Sequence, residues 1–123
     1  TDTTCYYCRK LHAEVPRLNE LGVEVRYLAY PRYGLNPAAK NRRGLDELVS
    51  TWCSANRSET LTAYKNDELS ELKTCSTTAV RDHFNLGRAV GVSGTPAIVL
   101  DSGELIPGYK TADQLAEILG VAE

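Results

Sequence analysis

Two cysteines separated by two residues, Cys5-Tyr6-Tyr7-Cys8, open a stretch in which Leu11, Val15 and Leu18 recur at steps of three and four before Gly22. That spacing puts the apolar residues on one face of a helix running roughly from Tyr6 to Leu21, with the glycine as its stop. Pro16 falls inside it and is expected to kink it, because its ring clashes with the carbonyl of His12 and it has no backbone donor. A cysteine pair placed where a helix begins can close a small disulfide ring or stand as a reactive dithiol. Cys8 lies on the stripe of Leu11, Val15 and Leu18, so its sulfur is expected to face the core, whereas Cys5, at the helix start, is expected near solvent. Unpaired N–H groups and the helix dipole favour negative charge there, which makes Cys5 the expected attacking thiolate and Cys8 the resolving thiol.

Other uses of a CxxC need partners that are hard to find here. A structural zinc site requires two further ligands at compatible spacing, and His12 and His83 form no paired motif. Attachment of a c-type haem requires His directly after the second cysteine, where this chain has Arg9. Neither metal nor other cofactor is therefore expected. Cys53 and Cys75 sit in no redox-type motif; they either staple their region through a disulfide or serve as two buried apolar thiols.

The 123 residues suit one domain. A balance of 14 basic against 16 acidic residues, net charge −2 and without a basic run, argues against nucleic acid as a partner. No stretch approaches the roughly 20 apolar residues that span a bilayer, so membrane insertion is not expected. The chain contains no methionine and opens on Thr1-Asp2-Thr3-Thr4, which reads as a portion of a longer product.

Along the chain, Val23 to Tyr30 alternates apolar Val23, Val25, Tyr27 and Ala29 with Glu24 and Arg26, predicting a strand closed by Pro31. A loop with Gly34 and Pro37 follows. Leu45, Leu48, Val49 and Trp52 give a helical face ending near Cys53, and a polar helical stretch continues through Leu61 and Tyr64. Ser76 or Thr77 is the expected cap of a helix carrying Val80, Phe84 and Gly87 and ending at Gly91. The region from Asn36 to Val90 is thus mainly helical. Ala97 to Leu100, a turn over 101–104 and Leu105-Ile106 predict a hairpin. Thr111-Ala112-Asp113-Gln114 has the form of a capping box and opens a last helix with Leu115, Ile118 and Leu119 inward. Of the seven tyrosines, Tyr27 and Tyr64 lie on periodic faces and read as packing residues, while Tyr6 and Tyr7 beside the cysteines are candidates to touch protein substrates.

Taken in order, Thr1-Asp2 before the CxxC, Lys10-Leu11-His12 after it, Val25-Arg26-Tyr27-Leu28-Ala29 with Pro31-Arg32, Trp52-Cys53, Gly91-Val92-Ser93-Gly94-Thr95-Pro96-Ala97 and Pro107-Gly108-Tyr109 resemble the periplasmic disulfide isomerases of the DsbC and DsbG type. The resemblance covers nearly the whole chain. It implies an α/β, thioredoxin-like fold with a helical insertion at about 36–90. It further implies Cys5 as nucleophile, Cys8 as resolving cysteine, Thr95-Pro96 as a cis-proline loop facing them, and Cys53 with Cys75 as a structural disulfide. Composition alone gives no warrant for a cis bond at Pro96, since most X-Pro bonds are trans. Tyr6 stands where such proteins commonly carry Gly or Pro, and Arg9 where DsbC-like chains carry His, which sets a fixed charge one residue after Cys8. The family's N-terminal dimerisation domain and the strand leading into the CxxC have no counterpart among these residues, so upstream residues are expected to complete the sheet.

The expected activity is thiol:disulfide interchange on misfolded or mis-oxidised secreted proteins in the periplasm. By resemblance it would be sustained by a DsbD-type membrane reductant, with a homodimer in the full-length protein. Rival readings are a thiol oxidase of the same fold, or a non-catalytic module that binds peptide or metal.

Overall fold

The computed structural model describes residues 1–36, 38 and 40–121. Pro37, expected in the loop after Pro31, lies outside them. The first helical stretch is not one kinked helix but two, α1 over Tyr6–His12 and α2 over Val15–Glu20. Proline explains the break. Pro16 takes a first-turn position of α2, where a missing N–H costs nothing, and the chain turns between the helices with Glu14 N–H donating to the Leu11 carbonyl at 2.9 Å. Glu14 is then free to reach across the fold, its Oε1 accepting from the N–H of Ala112 at 3.1 Å.

Residues 23–30 run extended, with the expected alternation of sheltered odd and exposed even positions holding through Ala29 and ending at half-buried Tyr30. They do not, however, form a strand ladder among the described residues. A strand needs a facing row of donors and acceptors, and here Thr1 supplies a single rung: its N–H donates to Leu28 O and its carbonyl accepts from Tyr30 N–H, both at 2.7 Å. Bonds to residues on either side of Ala29 are the pattern of a parallel pair.

Three helices follow: α3 over Arg43–Trp52, α4 over Arg57–Lys65 and α5 over Ala79–Ala89. Asn56 caps α4 by accepting from Glu59 N–H at 3.1 Å. The cap of α5 is Thr78, one or two residues later than expected; the Thr77 hydroxyl instead closes a local turn by accepting from Ala79 N–H at 3.2 Å. Between α4 and α5 the chain is irregular, and a disulfide joins Cys75 in that segment to Cys53 at the end of α3. Tyr64 also anchors it. Its buried hydroxyl meets Ser50 Oγ at 2.7 Å and donates to the Glu71 carbonyl.

The hairpin forms as β1, Ala97–Val99, and β2, Leu105–Pro107, antiparallel with Ile98 opposite Ile106. Gly103 supplies the positive φ of its turn. Helix α6, Ala112–Leu119, opens on a complete capping box between Thr111 and Gln114 and ends on left-handed Gly120. Leu115 is buried as expected, but Ile118 and Leu119 remain 44% and 38% exposed. The partner of α6 is the six-residue α2, too short to cover the last turn.

Two apolar clusters result. Ala29, Leu48, Leu61 and Val80 pack with Tyr27 and Trp52 under the helical block, and Leu18, Ala112 and Leu115 pack with Val25 and Ile98 beneath the hairpin. The extended segment contributes to both, and Leu11 of α1 packs against the second.

Candidate active site

Cys5 is the N-cap of α1 with extended backbone, and its Sγ accepts from the N–H of Cys8 at 3.4 Å. The residue type is unusual for a cap, but a sulfur can take the place of the usual side-chain oxygen there. Both cysteines are free thiols. Cys8 is buried on the apolar stripe as expected, yet Cys5, expected near solvent, is only 3% exposed. What covers it comes from far along the chain: the Thr95–Pro96 peptide is cis, and the Cys5 thiol donates to the Thr95 carbonyl at 3.6 Å. The loop is itself tied down, since Pro96 O accepts from Gly108 N–H at 2.9 Å.

The two thiols are driven apart in acidity. Burial pushes Cys5 up, but the Thr95 side chain, the hydrogen bonds from Cys8 and the charge of Arg32 together hold it below the ordinary thiol value. Burial dominates at Cys8 and pushes it up, against the Asp2 backbone and the Thr95 side chain. Thr95 thus bears on both sulfurs, and its hydroxyl is buried without another hydrogen-bond partner among the described residues. A more acidic thiol beside a less acidic one is the asymmetry an exchange pair needs, one sulfur to attack and one to wait.

Arg32 is a cation whose charge lowers Cys5, and the sequence had not singled it out for this. It is aimed by Asp2, whose buried carboxylate accepts from Arg32 N–H at 2.9 Å and from Nε at 3.3 Å. Arg9 is directed elsewhere: its guanidinium makes a two-pronged pair with Asp67 at 2.8 and 3.0 Å, and Nε donates to Thr3 O at 2.7 Å. The residue after Cys8 therefore clamps α1 to the end of α4.

Tyr6 and Tyr7 are 68% and 52% exposed on the rim, their rings edge to face at 5.1 Å. Tyr109, which had only been a sequence landmark, joins them with its ring 6.3 Å from Tyr7 and Lys10 Nζ 4.9 Å above it. Behind α1, His12 bonds Tyr27 OH at 2.7 Å and Thr62 Oγ1 at 2.9 Å, while His83 Nδ1 accepts from Ala29 N–H at 3.1 Å. Both histidines are thus engaged in the fold. Burial and then the charge of Lys65 lower His12 to about 4. Lys65 is also buried and had no signal in the sequence beyond its place in a helical stretch.

Comparison with known proteins agrees with this architecture. A family model described as a thioredoxin-like domain matches residues 1–123. The chain is 44% identical over 120 residues to the thiol:disulfide interchange protein DsbC of Dickeya dadantii, covering 97% of this chain and 48% of that protein. It is 39% identical over 119 residues to DsbC of Escherichia coli K12, with the same coverage, and 40% identical over 124 residues to DsbC of Haemophilus influenzae, covering 99% and 51%. The chain therefore spans about half the length of the curated relatives it matches. A crystal structure of a disulfide interchange protein from Neisseria gonorrhoeae superposes with a TM-score of 0.80 at 24% identity, over 98% of this chain and 81% of that one, which establishes the fold. With its matched family spanning every residue, the chain belongs to the thioredoxin-like domain family.

Proposed function

We propose that this chain is the catalytic domain of a thiol:disulfide interchange enzyme that reduces or isomerises incorrect disulfides in secreted proteins. The observation that carries the reading is the pair of free thiols at the start of α1, one lowered and one raised, beneath the cis Thr95–Pro96 peptide. Cys5 thiolate attacks one sulfur of a substrate disulfide, forming a mixed disulfide and releasing the other substrate sulfur as a thiolate. A substrate thiol then resolves the adduct, giving isomerisation, or Cys8 does, giving reduction and a Cys5–Cys8 disulfide. In this reading the Thr95 carbonyl, which accepts from Cys5, accepts instead from the backbone of an extended substrate strand, a mode that tolerates many sequences. Pro96, Tyr6 and Tyr7 border the same groove in this reading.

The 48% coverage of the relatives leaves room for a dimerisation domain, and the reading extends to a homodimer in the periplasm, kept reduced by a DsbD-type membrane reductant. Residues 36–90 are read as an insertion in the domain, with Cys53–Cys75 as its structural disulfide. Insulin reduction in glutathione or dithiothreitol tests the core claim: Cys5→Ala is expected to abolish turnover, and a variant that still reduces insulin would defeat the assignment. A Cys5–Cys8 potential well above about −300 mV is expected in a graded glutathione buffer, since bonds below that behave as structural.

A further inference from the structure

Helix α4 ends on Lys65, whose side chain is 3% exposed. Its Nζ has no hydrogen-bond partner among the described residues and sits 4.0 Å from the centre of the Tyr27 ring. An ammonium buried in this way loses several kcal/mol of hydration, and lysine stems ordinarily reach for water. Something must offset that loss. The acid nearest to hand does not: Asp2 already accepts from Thr4 N–H and Thr4 Oγ at Oδ1 and from Arg32 N–H and Nε at Oδ2. Helix α1 lies against this end of α4, with Arg9 donating to the Tyr64 carbonyl at 3.4 Å and His12 bonded to Thr62 at 2.9 Å; besides the Tyr27 ring, the groups whose charge bears on Lys65 or on which it bears are Cys8, Cys5, Arg9 and His12 from α1 and the amine of Thr1. Arg9 repels it but is neutralised by Asp67. Of these, Cys8 attracts Lys65 ahead of Cys5 and Asp2, and Cys8 is reached by the amine of Thr1 as well.

We propose that Lys65 is a positioning residue for the resolving step, its buried ammonium serving as the counter-charge that holds the Cys8 thiolate while it attacks the Cys5–substrate disulfide. This rests on the exchange reading above. In the step, the Cys8 thiol loses its proton and its sulfur bonds to Cys5 Sγ. The bond between Cys5 and the substrate sulfur breaks, and its electron pair leaves with the substrate sulfur, which takes up a proton in place of the one Cys8 lost. Cys8 is oxidised, the substrate sulfur is reduced, and Lys65 remains an ammonium on both sides. Burial pulls Lys65 down to about 8, which leaves it mostly charged at neutral pH, and burial pushes Cys8 up, so Cys8 is the thiol that needs a cation.

The test exploits Cys5→Ala, in which Cys8 is the single free thiol because Cys53 and Cys75 are bonded. The rate of alkylation at pH 7, where Lys65 is still mostly charged, reports the Cys8 thiolate with Lys65, with Lys65→Met and with Lys65→Arg. Methionine, of similar length and no charge, is expected to slow alkylation about three- to fourfold, the loss that a tenfold smaller thiolate population gives when greater nucleophilicity partly offsets it, and arginine to restore most of the rate. In the protein with both active-site cysteines, resolution of a preformed mixed disulfide at pH 7 should slow by a similar factor. An alkylation rate at pH 7 indifferent to Lys65→Met overturns the proposal. Insulin reduction surviving Cys5→Ala would instead overturn the exchange reading, so the two failures are distinguishable.

Discussion

His12 shows how one side chain ties the site to the stability of the fold. Its two ring nitrogens are held by Tyr27 and Thr62, and burial with the nearby Lys65 charge keeps it neutral down to about pH 4 rather than the usual 6.5. Between those values the unfolded chain binds a proton that the folded chain refuses. Stability therefore rises with pH through that window, is complete above about 6.5, and falls as pH drops toward 4. Urea denaturation at pH 7 and pH 5 should show a loss that is smaller in His12→Gln, which keeps one donor and one acceptor but does not titrate there. Arg9 and Arg32 make the complementary point. Both are basic residues near the cysteines, but Arg9 is captured by Asp67 while Arg32, aimed by Asp2, acts on Cys5.

Elements carry the next set of constraints, and two of them can be read by substitution. Gly44 begins α3 against Asp2: a Cβ built there would lie 2.6 Å from Asp2 Oδ1. Ala is favoured over Gly in a helix by about 1 kcal/mol, but the carboxylate cannot yield without breaking its bonds to Thr4 and Arg32. Gly44→Ala is thus expected to destabilise the protein by about 1–3 kcal/mol, as overpacking does, and to weaken the acidity of Cys5 by displacing Arg32; thermal melts and a thiol titration would register both. At α6 the capping box satisfies the first turn through Thr111 and Gln114. Thr111→Ala should cost about 1 kcal/mol in denaturant melts and leave the thiol titration unmoved, because α6 lies under the second cluster.

At the scale of the whole molecule, the Cys53–Cys75 bond closes a segment with a sequence separation of 22. Removing it by Cys53→Ala with Cys75→Ala should lower unfolding free energy by about 3 kcal/mol through the loop entropy of the unfolded chain, while insulin reduction below the melting temperature persists. Much of the arrangement is legible from residues alone: the helical stripe under Cys8, the alternation over 23–30, the hairpin and the capping box each depend on neighbours within a few positions, where periodicity and turn chemistry decide the outcome. Family likeness added the pairing of Cys53 with Cys75 and the cis peptide at Pro96. Other features lay outside that reach. The shelter of Cys5 depends on Thr95, 90 residues away; the absence of a ladder along 23–30 among the described residues depends on what faces it; the charge that Arg32 brings to Cys5 depends on Asp2 holding it; and the burial of Lys65 depends on how α4 docks beside α1. The sequence by itself thus determined where a pair of cysteines begins a helix and which local elements follow it. Only the tertiary structure decided which charges meet the two sulfurs, because desolvation and Coulomb forces act through space between residues that no local pattern brings together.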